Sequence, residues 1–343
     1  MQTRPLAKLS FNFNFMATSR VSSPIYRGVL LYTCFALLLS PVVYAQQLAF
    51  ETTSTESGTS FHYVWEDQYE RQHEISFTLD KEQKNFAANN LRHLSPARLQ
   101  RDIVRPLQSY ARSRDWFQMH ISYDSSREHV TFNPNIRNEE ESSRRIRLMH
   151  AQAQQEIDNI LSENYLTRIS MPPNISGYIP DHVRIARESE EAVAPLATAF
   201  YQYLGGATPR QYIEVISSFV QSIPYNELSN RMESNGAGFQ SPVNVLLSNQ
   251  GDCDSKVTLL ASILRNLMPN LEMAIVYLPQ HAVFAVAISP ENHETTIRNS
   301  GAELLIMEPT GPALLKLGEP APFSLIYLAN GSIALRYFTP RNL

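Results

Sequence analysis

The chain has 343 residues, with 43 % apolar residues, 18 % charged residues and a formal net charge of −4. Length alone allows about two domains at roughly 100–200 residues each, and the composition excludes a collagen-like or disordered chain. Mild acidity without clustered Lys and Arg argues against nucleic-acid partners, which demand cations against phosphate; Arg144, Arg145 and Arg147 follow directly on Glu139, Glu140 and Glu141.

The first 45 residues hold Arg4, Lys8, Arg20 and Arg27 and no acid, so their removal takes the formal charge from −4 to −8. A basic stretch ending at Arg27 is followed by an uncharged apolar run over 28–39 and then Val43-Tyr44-Ala45, a small-x-small pattern before Gln46. This is the layout of a secretory leader, cleaved after Ala45. The run falls short of the roughly 20 apolar residues that a spanning helix needs. An uncleaved anchor is therefore the weaker expectation, and no stable membrane insertion is expected after cleavage. Met16 is an alternative start that leaves a leader of more ordinary length. The two cysteines are Cys34, inside the leader, and Cys253, so the mature chain carries one thiol and forms no internal disulfide. Together these features predict a secreted or periplasmic protein.

Beyond the leader, 52–60 is rich in Ser, Thr and Gly and reads as a loop. Phe61, Tyr63 and Trp65, and then Ile75, Phe77 and Leu79, alternate with polar or smaller neighbours, the period of half-buried strands. A helix is predicted over 96–110, limited by Pro106. Phe117, Met119, Ile121 and Tyr123 predict another strand, returning through Val130 and Phe132. Over 138–161 the residues Ile146, Met149, Ala153, Ile157, Ile160 and Leu161 form one apolar helical stripe. Pro172, Pro173, Gly177 and Pro180 mark the best internal boundary, over 171–181. The predicted organisation is a leader (1–45), an N-terminal α+β region of unknown role (46–185) and a second domain (186–343).

In that second domain, helices are predicted over 188–204 and 209–223, and a long loop over 225–242. A helix over 254–267 follows, then strands over 272–278, 282–288 and 302–307. Asn330-Gly331 between apolar runs predicts a hairpin, because a type I′ turn takes positive φ at both central positions.

The chemistry-bearing residues cluster in this half. Gly251-Asp252-Cys253-Asp254-Ser255-Lys256 leads into a helix apolar nearly all round, which sets Cys253 at a helix N-terminus, where the dipole favours a thiolate. Asp252 and Asp254 oppose this if their charge faces the sulfur; as helix caps they turn away from it. A thiol nucleophile needs a base and a group to orient that base. His281 opens an apolar strand, and Glu308 ends the next one, in Glu308-Pro309-Thr310. The order is Cys, His, carboxylate, 28 and then 27 residues apart. The other eight histidines form neither HExxH nor a close pair with metal spacing, so no metal or cofactor is expected.

These residues resemble the transglutaminase-like superfamily. Gly251-Asp252-Cys253, His281 and Glu308-Pro309-Thr310 match its three blocks in order, and Ile223-Pro224-Tyr225 and Ser241-Pro242 resemble its approach to the cysteine. The likeness covers residues 192–310. It implies an α+β fold with a papain-like core, in which the helix bearing the cysteine packs on an antiparallel sheet. It also implies covalent acyl chemistry on a peptide or protein substrate. Cys253 is then the nucleophile, His281 the base and Glu308 the group that orients it. Two departures stand out. The acid is Glu308 where the family usually has Asp. The tryptophan that animal transglutaminases use for the oxyanion is missing, since Trp65 and Trp116 lie far upstream. The Cys253 amide and Tyr225 are the remaining candidates for that role. Three outcomes stay open: a cysteine peptidase or amidase, a transglutaminase joining Gln to Lys, and a non-catalytic binding module that keeps the fold.

Overall fold

A computed structural model describes residues 46–85, 94–229, 238–299 and 301–338. The leader over 1–45 and part of the loop over 225–242 lie outside them. Strands β1 (Gln46–Ser54), β2 (Gly58–Glu66) and β3 (Gln72–Asp80) form an antiparallel meander. β3 alternates strictly, with His73, Ile75, Phe77 and Leu79 inward and Glu74, Ser76 and Thr78 outward. The stretch expected as a loop over 52–60 instead holds the end of β1, a tight turn in which the Thr55 N–H donates to Gly58 O (2.8 Å), and the start of β2. Threonine suits a pleated strand as well as a loop, and β1 carries too little apolar alternation to announce itself.

A second, smaller core follows. After α1 (Lys81–Asn85) come α2 (Pro96–Asp102), α3 (Val104–Ser113), β4 (Met119–Asp124), β5 (His129–Pro134) and α4 (Glu139–Glu163). Leu99, Ile103, Leu107, Met119, Ile121, Met149, Ile157 and Leu161 are buried together there. The helix expected over 96–110 is two helices joined at Ile103. Pro106 falls in the first turn of α3, where its missing N–H has no intrahelical partner to lose. The proline-rich stretch 171–181 is structured. It forms most of a hairpin of β6 (Leu166–Met171) and β7 (Ile175–Pro180), with Pro172 and Pro173 in the turn and Pro180 at a strand end, where a donor is dispensable.

The remaining elements carry the site. Helices α5 (His182–Glu188), α6 (Glu190–Leu204), α7 (Pro209–Ser222), α8 (Pro242–Ser248) and α9 (Cys253–Leu267) precede β8 (Met273–Leu278), β9 (His281–Val286), β10 (Thr296–Asn299), β11 (Ala302–Met307), α10 (Pro322–Asn330) and β12 (Ala334–Phe338). The five strands form one antiparallel sheet in the order β10-β11-β9-β8-β12. Its two faces are both covered. Met273, Ile275, Tyr277, Ala282, Phe284 and Val286 join the main core with α9. Ala274, Val276, Leu278, Val283 and Ala285 face Tyr327 and Leu328 of α10. Burial on both faces is why these strands read as continuous apolar runs.

The hairpin expected at Asn330-Gly331 is instead a helix end. Pro322 starts α10, and Gly331 terminates it at φ 72°. Asn-Gly serves both structures because each needs positive φ. The strand after it pairs with β8, from Ala334↔Tyr277 to Phe338↔Met273. The aromatic strands β2 and β3, grouped by sequence with the N-terminal region, share their core with α6, α7 and α9: Tyr63, Trp65 and Phe77 are buried with Phe200, Phe219 and Leu260. The architecture is therefore α+β, with antiparallel sheets throughout.

Candidate active site

Cys253 is the first residue of α9 and is partly buried. Asp252 is the N-cap, its Oδ1 accepting from the Ser255 N–H at 3.1 Å. The segment before it is held by a short parallel bridge between Tyr225 and Gly251, in which the Gly251 N–H donates to Pro224 O (3.2 Å) and the Asn226 N–H to Gly251 O (3.1 Å). Tyr225 is thereby set beside the cysteine. Partial burial and the nearby acidic charges, Asp252 foremost, push the Tyr225 phenol up, so it stays a donor.

The backbone N–H groups of Ala282 and Asp254 both reach the Cys253 sulfur. Ala282 follows His281, so the thiol lies against the start of β9. A two-residue turn, Pro279-Gln280 with Gln280 at φ 64°, joins β8 to β9 and makes His281 the first strand residue. His281 Nε2 meets Glu308 Oε1 at 2.6 Å. That contact commits one ring nitrogen, Nε2, to the carboxylate.

Glu308 is buried at the end of β11 and well satisfied. Oε2 accepts from the Ala321 N–H (2.7 Å), and the Ser324 hydroxyl donates to both oxygens (3.2 and 3.1 Å). Burial by itself raises this carboxyl. The hydrogen bond and charge of His281, the Ala321 amide and Ser324 outweigh it and hold Glu308 below the usual 4.5. A depressed carboxylate contributes stability above its unfolded value and loses it as pH falls through the folded value. Glu308→Gln turns one of the two acceptors into a donor and removes the titration. The variant is therefore expected to be less stable than wild type at pH 7, with the gap in urea midpoint closing as pH drops below 4.5. A gap that widens on acidification counts against this account.

The thiol itself is not poised as a free thiolate. Burial raises it, the charges of Asp254 and Asp252 add to that, and the two amides pull the other way without prevailing. Asp252 and Asp254 both cap the helix, each Oδ1 accepting from the Ser255 N–H (3.1 and 3.0 Å), yet capping does not remove their charge from the sulfur's surroundings. The helix dipole is thus outweighed by carboxylates only one residue distant. Burial and the Asp254 charge push Asp252 well up.

Two contributors escaped the sequence reading. His182, at the start of α5 and buried, brings Nε2 within 3.0 Å of Asp254 Oδ2, close but not aligned as a hydrogen bond, while its Nδ1 meets the Tyr277 hydroxyl at 2.7 Å. Desolvation pushes it down to about 4, so the ring is neutral. Nothing in sequence ties residue 182 to 254. Lys256 is wholly buried and pushed down to about 7 by desolvation. Its signal was visible, as the one cation in the first two turns of an otherwise apolar helix.

Among the described residues, no group of three His, Cys, Asp or Glu is arranged to hold a metal, and no helix is long and apolar enough to cross a membrane. No protein-family model, curated protein or solved structure matches this chain.

Proposed function

We propose that this protein is an exported thiol acyl-transfer enzyme with a transglutaminase-like, papain-type core, acting as a cysteine peptidase or amidase on peptide or side-chain amides. The observation that carries this reading is the His281–Glu308 contact at 2.6 Å, on the strand whose second amide lies by the Cys253 sulfur. The Cys253 thiol attacks the amide carbonyl while His281 Nδ1 takes its proton. Glu308 orients the imidazole and stabilises the imidazolium. The Cys253 amide at the helix start and the Tyr225 hydroxyl are the donors for the oxyanion. His281 returns the proton to the departing amine, and water, deprotonated by the same ring, then cleaves the thioester. The leader pattern over 28–45 supports export.

In a Cys34→Ser background Cys253 is the one thiol. p-Nitrophenyl acetate should acetylate it, seen by intact mass, with continued release of nitrophenolate; Cys253→Ala should abolish both. A labelled primary amine recovered on the acyl group would make the enzyme a transglutaminase. The protonated resting thiol is what favours the non-catalytic alternative. That alternative is adopted if Cys253 stays unmodified under conditions that acetylate a free thiol.

A further inference from the structure

We propose that Lys256 is a positioning residue for this site, tying the turn that carries Glu308 to the segment that carries Tyr225, beneath Cys253. The inference rests on the acyl-transfer reading above. Lys256 lies three residues past the cysteine on α9 and is 0 % exposed. Its stem runs under Gly251, with Cγ 3.5 Å from where a Cβ on that glycine would lie. Its ammonium donates to Ile223 O and Thr310 O and faces Gln221 O at 3.5 Å. Ile223 opens Ile223-Pro224-Tyr225, and Thr310 closes Glu308-Pro309-Thr310. One cation thus gathers backbone from the end of α7, from the oxyanion segment and from the acid's turn, and fixes all three to the helix that presents the nucleophile.

Burying an ammonium without a paired carboxylate is costly. An apolar side chain would fill the same space at less cost, but would leave those carbonyls without a donor. Three carbonyl oxygens match the three N–H bonds of an ammonium. The same turn is held from a second side. The Gln221 side-chain amide donates to Glu308 O (2.9 Å) and Leu315 O (3.0 Å). Gly311, at φ 64°, lets the turn close onto α7, since a Cβ there would come within 2.3 Å of Gln221 O. These contacts hold the turn that begins at Glu308, whose carboxylate in turn holds the ring of His281.

A positioning role is distinguished from bulk stability by its dependence on His281. Acetylation of Cys253 by p-nitrophenyl acetate is measured on the full chain in the Cys34→Ser background, for Lys256→Met, His281→Ala and the double variant. Lys256→Met is expected to slow acetylation about tenfold or more where His281 is present, the scale of a misplaced catalytic group, and by less than about twofold in His281→Ala. An equal loss in both backgrounds, or no loss, overturns the proposal. Where a melt shows Lys256→Met unfolded, Lys256→Arg takes its place. It keeps the charge but presents a rigid fork in place of a compact ammonium, and the same His281-dependent loss is expected of it. If wild type and His281→Ala acetylate alike, the acyl-transfer reading fails and this inference falls with it. His281 dependence that is unchanged by substitution at Lys256 sinks the inference alone.

Discussion

Replacing His281 with alanine is expected to lower the rate of Cys253 acylation by about 10²–10⁴-fold, the range for loss of a positioned general base, with little change in melting temperature. The effect is large because the thiol is held protonated at rest by burial and by Asp254 and Asp252. A nucleophile whose pKa is already depressed keeps much of its reactivity without its base, whereas one held up by two carboxylates does not. The stability effect is small because His281 is only partly buried and opens its strand, so its removal leaves no large cavity. It does release Glu308, but that carboxylate keeps the Ala321 amide and the Ser324 hydroxyl. Glu308→Ala should give a smaller kinetic loss than His281→Ala, since the imidazole survives but its ring and tautomer are no longer fixed. A thiol that acylates equally fast in wild type and His281→Ala contradicts the assignment of the base.

What was legible in the sequence divides along physical lines. The helix from Cys253 and the strands around His281 and Glu308 were readable because burial on all sides writes itself as continuous apolar sequence: Val257, Leu259, Leu260 and Ile263 in α9, and Ala282 to Val286 in β9. The amphipathic stripe of α4 was readable for the same reason, through Met149, Ala153, Ile157 and Leu161. β1 and β10 were not, because Thr53, Thr296 and Arg298 lie on polar edge strands that bury little. Gly331 ends a helix and not a hairpin loop, since local conformational preference states that the chain turns and not what it turns between. The charges around the thiol belong to a third class. Whether Asp254 faces the sulfur, and whether Lys256 points into the protein or into water, depends on segments far away in sequence: Ile223 and Thr310 for the lysine, His182 for the aspartate. The spacing of Cys253, His281 and Glu308 therefore suggested a nucleophile with its base, but carried no sign that burial and the neighbouring carboxylates would hold the thiol protonated.

The second large effect concerns a residue remote from the chemistry. Trp65→Ala is expected to cost about 3–5 kcal/mol, the range for removing a large buried aromatic, and to take Cys253 acylation down with it as the protein unfolds. Trp65 is 0 % exposed in β2. Its ring stacks on His73 (5.2 Å between centroids) and meets the edges of Phe219 (5.3 Å) and Phe200 (6.3 Å), while its N–H donates to the Ser218 hydroxyl at 3.0 Å. Phe219 and Ser218 lie on α7, the helix that ends at Ser222 and leads into Ile223-Pro224-Tyr225. The indole is thus one of the contacts, with Tyr63 on Phe219 (5.0 Å between centroids), through which the first sheet braces the helix that leads to Tyr225 and holds the turn after Glu308. The measurement is urea unfolding followed in parallel by far-UV circular dichroism and by residual acetylation of Cys253. One shared transition, moved to lower urea by the substitution, is the outcome that a common core requires. If β1 to β3 formed a separable unit, part of the dichroism signal would be lost early while acetylation kept its wild-type midpoint. The two curves would then part instead of moving together.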